Sequence, residues 1–130
     1  MTRPLKILCI DDDPDIRTIA VMALGLDPAM MIRAATSGAD AVALLRSDDW
    51  RPDGILLDVM MPGMDGPATL TAIRALGGYA DVPVIFMTAR ARQTDLDSYT
   101  ALGANGVIVK PFDPMHLAED VRALVASRRR

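Results

Sequence analysis

The sequence predicts an α/β fold: a five-stranded parallel sheet with helices on both faces, in a single domain spanning residues 1–130. Three observations predict it. Five short apolar runs recur along the chain, each leads into a helical pattern with its own start signal, and four of the five are continuously apolar. Continuous apolarity suits strands covered on both faces, the environment of a parallel sheet. Strand and helix alternating in this way require right-handed crossovers and an open, doubly wound sheet.

The first run, LKILCI at residues 5–10, ends in Asp11, Asp12 and Asp13. Asp13-Pro14 places an N-cap before proline at the first helical position, and Ile16, Ile19, Ala20 and Ala23 follow at helical spacing. Asp15 falls in the first turn, where a carboxylate favours the helix dipole. The second run, MMIRAA at 30–35, carries Arg33 and is assigned to a sheet edge. Ser37-x-x-Asp40 resembles a capping box, with Val42 and Leu45 beyond it. The polar SDDWRPD then precedes the third strand, DGILLD at 53–58, and Trp50 reads as a partly exposed lid over the core.

After Asp65-Gly66-Pro67, Leu70, Ile73 and Leu76 follow at three-residue steps until Gly77-Gly78 stops the helix. VPVIFM at 82–87 supplies the fourth strand. Leu96, Tyr99 and Leu102 mark a fourth helix that begins directly after Thr88, through ARARQTDLD, and ends at Gly103. GVIVK at 106–110 is the fifth strand, and Asp113-Pro114 caps a fifth helix whose buried stripe is Leu117, Val121, Leu124 and Val125.

Composition narrows the function. With 51% hydrophobic and 24% charged residues the chain is that of an ordinary globular protein. A net charge of −3 argues against direct nucleic-acid binding, and the terminal SRRR reads as a solvated helix end. The single cysteine, Cys9, excludes an internal disulfide, lies within an apolar run and reads as a small buried hydrophobe in a reducing cytoplasm. No apolar stretch approaches membrane-span length and no leader pattern is present, so the expectation is a cytoplasmic protein without membrane contact. Met60, Met61 and Met64 read as core and loop packing, and His116, with no second histidine to partner it, as a solvated surface residue.

In open α/β sheets, ligands bind outside the carboxyl ends of the strands. Here those ends hold Asp11-Asp12, Asp58, Thr88-Ala89 and Lys110-Pro111. Three acids, a hydroxyl and an ammonium suit phosphoryl chemistry beside a divalent cation. Carboxylates are hard ligands for Mg²⁺, a remaining carboxylate can attack phosphorus, and lysine with a hydroxyl can hold phosphoryl oxygens. Asp11 and Asp12 read as a metal-holding pair, Asp13 and Asp15 as helix-start residues.

The segments ILCIDDDPDIR, PDGILLDVMMPGMDG, PVIFMTA and GANGVIVKPF together resemble the receiver domain of bacterial two-component response regulators, from Lys6 to about Val125. The resemblance implies strand order 2-1-3-4-5 and a phosphorylation-activated signalling module rather than a classical enzyme. Asp58 would accept a phosphoryl group from a sensor histidine kinase or a histidine phosphotransfer domain. Asp12 would ligate Mg²⁺ directly and Asp11 through water, alongside Asp58 and the main-chain carbonyl of Met60. Thr88, Ala89 and Lys110 would bind the phosphoryl group, and Lys110-Pro111 would be a cis peptide. Output would pass to a partner protein at the face built from helix four, strand five and helix five, or onward by phosphorelay.

One position departs from the pattern. Where many receivers carry a switching tyrosine or phenylalanine three residues before the lysine, this chain has Val107. The threonine shift remains available; an aromatic rotamer readout does not. A competing resemblance is weaker: Asp11-x-Asp13 after a strand mimics the nucleophile motif of haloacid-dehalogenase-like phosphatases, but Asp15 stands where that motif normally has a hydroxyl.

Overall fold

The computed structural model describes residues 3–47 and 49–128. Five strands, β1 (Leu5–Ile10), β2 (Met30–Ala35), β3 (Gly54–Asp58), β4 (Val84–Thr88) and β5 (Gly106–Val109), alternate with five helices, α1 (Pro14–Leu24), α2 (Gly38–Ser47), α3 (Gly66–Arg74), α4 (Gln93–Ala101) and α5 (Leu117–Arg128). All strand pairs are parallel, in the order β2-β1-β3-β4-β5. The run containing Arg33 is therefore an edge strand, and β5 is the other edge.

Alternate strand residues feed opposite faces of the sheet. Leu8, Ile10, Ile55, Leu57, Val84 and Phe86 pack under one layer with Leu45, Leu70, Ile73 and Tyr99 of α2, α3 and α4. Ile7, Cys9, Leu56, Ile85 and Met87 pack under the other with Ala20, Leu24, Leu117, Val121 and Val125 of α1 and α5. Both faces of the central strands are dry, which is why their sequences read as continuous apolar runs.

The helix starts differ from one another. Asp13 caps α1, its carboxylate accepting the Asp15 and Ile16 amides at 2.9 and 3.3 Å. Ser37 Oγ accepts the Asp40 amide, but the Asp40 carboxylate reaches back to the amide of Thr36, one residue earlier than a capping box requires. Asp65 caps α3 through the Ala68 amide. The fourth helix does not begin directly after Thr88: residues 89–92 form a connection and Arg92 is the N-cap. Asp113-Pro114 opens a turn over 114–116, with α5 starting at Leu117.

Several side chains fall elsewhere than their spacing predicts. The buried stripe of α1 runs through Ala20, Ala23 and Leu24, with Ile16 packed beside it, leaving Ile19 45% exposed on the flank. Leu102 is exposed because it is the C-cap of α4, where the chain turns away through Gly103 at φ +104°. Trp50 is buried, not a partly exposed lid; the Arg33 guanidinium stands 5.0 Å over its ring and covers it. Met61 packs in the core as expected, whereas Met60 is 63% exposed. The basic tail at Arg129 and Arg130 lies outside the described residues. Among the described residues, no helix is long and apolar enough to cross a membrane.

Candidate functional site

Parallel strands deliver their carboxyl ends to one rim, and sheet order decides which ends are neighbours. β1, β3, β4 and β5 are consecutive in the sheet, so Asp11, Asp58, Thr88 and Lys110 emerge side by side. Asp58, Thr88 and Lys110 border a shallow cavity of about 270 Å³, together with Asp12, Asp13, Met60 and Ala89, and Asp11 lies buried behind it.

Lys110 joins the acids. Its Nζ donates to Asp58 Oδ1 at 3.0 Å and to Asp11 Oδ2 at 3.4 Å. Asp11 is fully buried and Asp58 nearly so, and Asp12 is the most open of the three acids. The other Asp11 oxygen accepts the Asp13 amide at 3.0 Å, while its main-chain carbonyl accepts Arg17 Nη1 at 2.8 Å. Burial raises the Asp58 carboxyl above the ordinary range and the Asp11 charge adds to that, against the opposing bonds from Lys110 and the Met60 backbone. For Lys110, burial works toward a lower value, but the bonds and charges of Asp58 and Asp11 outweigh it and the net shift is upward.

The β4 end is held through the main chain. Lys110 N donates to the Thr88 carbonyl at 2.8 Å, and the buried Thr88 hydroxyl accepts the Arg90 amide at 3.0 Å. That bond orders the connection before α4 rather than capping the helix. The Lys110–Pro111 peptide is cis. Val107 is half-buried, pairs in register with Phe86 and packs against the same layer as Tyr99. His116 is exposed and bonds Asp113 at 2.7 Å, remote in role from the acids. Burial, with the Asp11 charge, pushes the Cys9 thiol up to about 12, which makes it an inert core residue.

The acids suit a cation. Asp11, Asp12 and Asp58 each offer an oxygen, and these atoms lie within 4.8 Å of one another. Three carboxylates face one ammonium, so the rim keeps negative charge, and an all-oxygen donor set with an open side matches a small hard divalent cation that retains waters. Two contributors were not visible as site residues in the sequence. Arg17 lies one turn into α1, and Gly66 stands at the start of α3, where a Cβ would come within 2.7 Å of the Asp58 carbonyl oxygen.

Known proteins resemble this chain in sequence and in fold. A family model for the response regulator receiver domain matches residues 7–122. The transcriptional regulatory protein YvrH of Bacillus subtilis is 38% identical over 118 residues, covering 91% of this chain and 48% of that protein. The DNA-binding response regulator MtrA of Mycolicibacterium smegmatis is 36% identical over 121 residues, 91% of this chain and 49% of that protein. The chain thus spans about half the length of these curated relatives. Among solved structures, the chemotaxis protein CheY4 of Vibrio cholerae superposes with a TM-score of 0.83 at 30% identity, covering 93% of this chain and 98% of that one. The signal receiver domain of a histidine kinase from Syntrophus aciditrophicus gives 0.77 at 28% identity, with 96% and 92% covered. The chain belongs to the response regulator receiver domain family, the two-component signalling modules that are phosphorylated on aspartate.

Proposed function

We propose that this chain takes a phosphoryl group on Asp58 from a phosphohistidine of a sensor kinase or a phosphotransfer domain, with Mg²⁺ held at the rim. An Asp58 carboxylate oxygen forms the new P–O bond as the P–N bond to the donor imidazole breaks, and the imidazole leaves with the electron pair and is protonated. Asp12 is assigned to direct metal contact, Asp11 to contact through water, and Asp58 and the Met60 carbonyl to the remaining protein positions. The cation, when bound, supplies charge neutralisation for the transferring phosphoryl oxygens. Lys110, the Thr88 hydroxyl and the Ala89 backbone take the other phosphoryl oxygens. The observation that supports this most is the two-way contact of Lys110 with Asp58 and Asp11, because it ties an ammonium to the acid at the shallow opening and to a second acid buried behind it.

The domain then signals from the cytoplasm, by docking a partner on the α4-β5-α5 face or by passing the phosphoryl group to a phosphotransfer histidine. Its only catalysis is of its own phosphorylation and dephosphorylation. Asp11 is a poor phosphatase nucleophile: it is fully buried, and both its carboxylate oxygens are already bonded.

Acetyl phosphate with Mg²⁺ tests the reading by intact mass. One phosphoryl group should add, hydroxylamine should remove it as it does an acyl phosphate, and Asp58→Asn should not label. Normal labelling of Asp58→Asn, or phosphomonoester turnover that depends on Asp11, would reject the assignment.

A further inference from the structure

We propose that Arg17 is a positioning residue for the cation site: its bond to the Asp11 carbonyl holds the β1–α1 turn in the shape that presents Asp11 and Asp12 to Mg²⁺. The inference rests on the reading that Asp11, Asp12 and Asp58 hold that cation.

The turn is built from a short chain of hydrogen bonds. The last β1 residue in register with both neighbours is Ile10, opposite Ala35 and Leu57. Asp11 still donates its amide to the Ala35 carbonyl at 3.2 Å, but its own carbonyl lies past the ladder. A main-chain acceptor next to a fully buried residue needs a partner, and Arg17 Nη1 supplies it at 2.8 Å. From there Asp13 N bonds Asp11 Oδ1, and Asp13 Oδ1 takes the Asp15 and Ile16 amides. The other links are main-chain amides donating to carboxylates, so the guanidinium is the chain's one charged donor and its one side-chain donor.

Arg17 has no competing engagement. Among the described residues it forms no ion pair, and the Asp11 carbonyl is its one side-chain hydrogen-bond partner. A half-buried arginine committed to the main-chain oxygen of a candidate ligand residue fixes that ligand's backbone.

Positioning and plain electrostatics predict opposite signs. Deleting a positive charge near a cation site should tighten cation binding if charge alone matters. If the guanidinium holds the turn, deleting it should weaken binding, because the carboxylates lose their alignment.

Arg17→Met keeps the helix-forming character and bulk of the side chain and removes charge and donor together. Mg²⁺ titrations of the whole chain, followed by amide shifts at Asp12 and Asp58, should show affinity weakened about tenfold, the low end for losing an outer-shell partner. In the metal-free protein, exchange at the Asp13 amide should accelerate while the β3 amides stay protected. Arg17→Lys, which retains a charged donor on a long stem, should recover most of the affinity. Mg²⁺ affinity that is unchanged or tighter in Arg17→Met, or as weak in Arg17→Lys as in Arg17→Met, would overturn the inference. A wild-type chain that binds no Mg²⁺ would overturn the metal reading itself and this inference with it.

Discussion

Lys110 Nζ stands 3.0 Å from Asp58 Oδ1, the shortest link between the last strand of the sheet and its centre at the rim. The pair is mostly shielded, Lys110 being 21% and Asp58 5% exposed at the side chain, and Asp11 lies within reach of the same ammonium. Removing Lys110 leaves two buried carboxylates facing each other without a counter-charge. Lys110→Met should therefore cost about 2 kcal/mol in metal-free protein, less than a fully buried pair because solvent reaches the lysine. Millimolar Mg²⁺ should return much of the loss by occupying the same electrostatic role. Thermal melts with EDTA and with Mg²⁺ measure both quantities; a deficit of equal size in the two conditions would separate Lys110 from the cation site.

Asp58 bears on stability in the opposite sense. Burial, then the Asp11 charge, raises its carboxyl in the fold above the unfolded value. A raised acid favours the fold below its unfolded pKa, and that contribution is lost as pH climbs through the folded pKa. At neutral pH the ionised Asp58 is thus a cost to the fold. Asp58→Asn should stabilise metal-free protein at pH 7 by about 1 kcal/mol, roughly 3–5 °C in Tm. The gain should shrink toward pH 4, where the wild-type carboxyl takes up its proton. A variant less stable than wild type at pH 7 would mean that the Lys110 attraction outweighs the burial.

How much of this was legible in the sequence follows from which forces act locally. Strand positions and the rim residues were readable because a doubly covered strand must be apolar throughout, so the polar residue that ends it stands out. Asp13 and Asp65 caps were likewise readable, being set by residues within one turn. The misplacements were tertiary. Ile19 fits the helical period yet lies beside the stripe, because α1 packs its small residues Ala20 and Ala23 against the sheet. Trp50 is covered by an arginine from β2, a contact between residues 17 positions apart that no local pattern encodes. Arg17 was invisible for a different reason: its partner is a carbonyl, and main-chain acceptors have no sequence signature.

Gly66 lets α3 approach the end of β3 by being small. A Cβ there would sit 2.7 Å from both the Asp58 carbonyl oxygen and Val59 Cα, and backbone atoms cannot swing aside as a flexible side chain can. Gly66→Ala should lose about 2–3 kcal/mol, the upper part of the range for inserting atoms into a packed site. Because the collision is with the backbone of Asp58 itself, labelling by acetyl phosphate should slow even at temperatures where the variant is fully folded. Urea unfolding and intact mass at low temperature check the two halves. A loss below 0.5 kcal/mol, the ordinary scatter of surface changes, would show that α3 does not brace Asp58.

Switching in this domain should run through the β4–α4 connection and not through β5. The Thr88 hydroxyl accepts the Arg90 amide, and the Arg90 carbonyl accepts the Tyr99 hydroxyl at 3.3 Å, so the connection is tied through both main-chain polar groups of Arg90. Tyr99 is the one buried residue of α4, its ring edge-on to Phe86 with centroids 5.3 Å apart. If Thr88 turns to a phosphoryl oxygen, the Arg90 amide loses its partner and the connection has to rearrange. An element with a single buried anchor opposes that weakly, and a few kcal/mol of differential contact suffice to move it. Val107 has no ring to reorient. Beryllofluoride with Mg²⁺, standing in for the phosphoryl group, should shift backbone amides from Thr88 to Tyr99 and leave those around Val107 nearly still. Tyr99→Phe deletes only the hydroxyl, a contact worth about 1 kcal/mol, and should enlarge the shifts at Ala89–Arg92 by loosening the resting state. Large changes along β5 with a silent start of α4 would place the switch on the other side of the sheet edge.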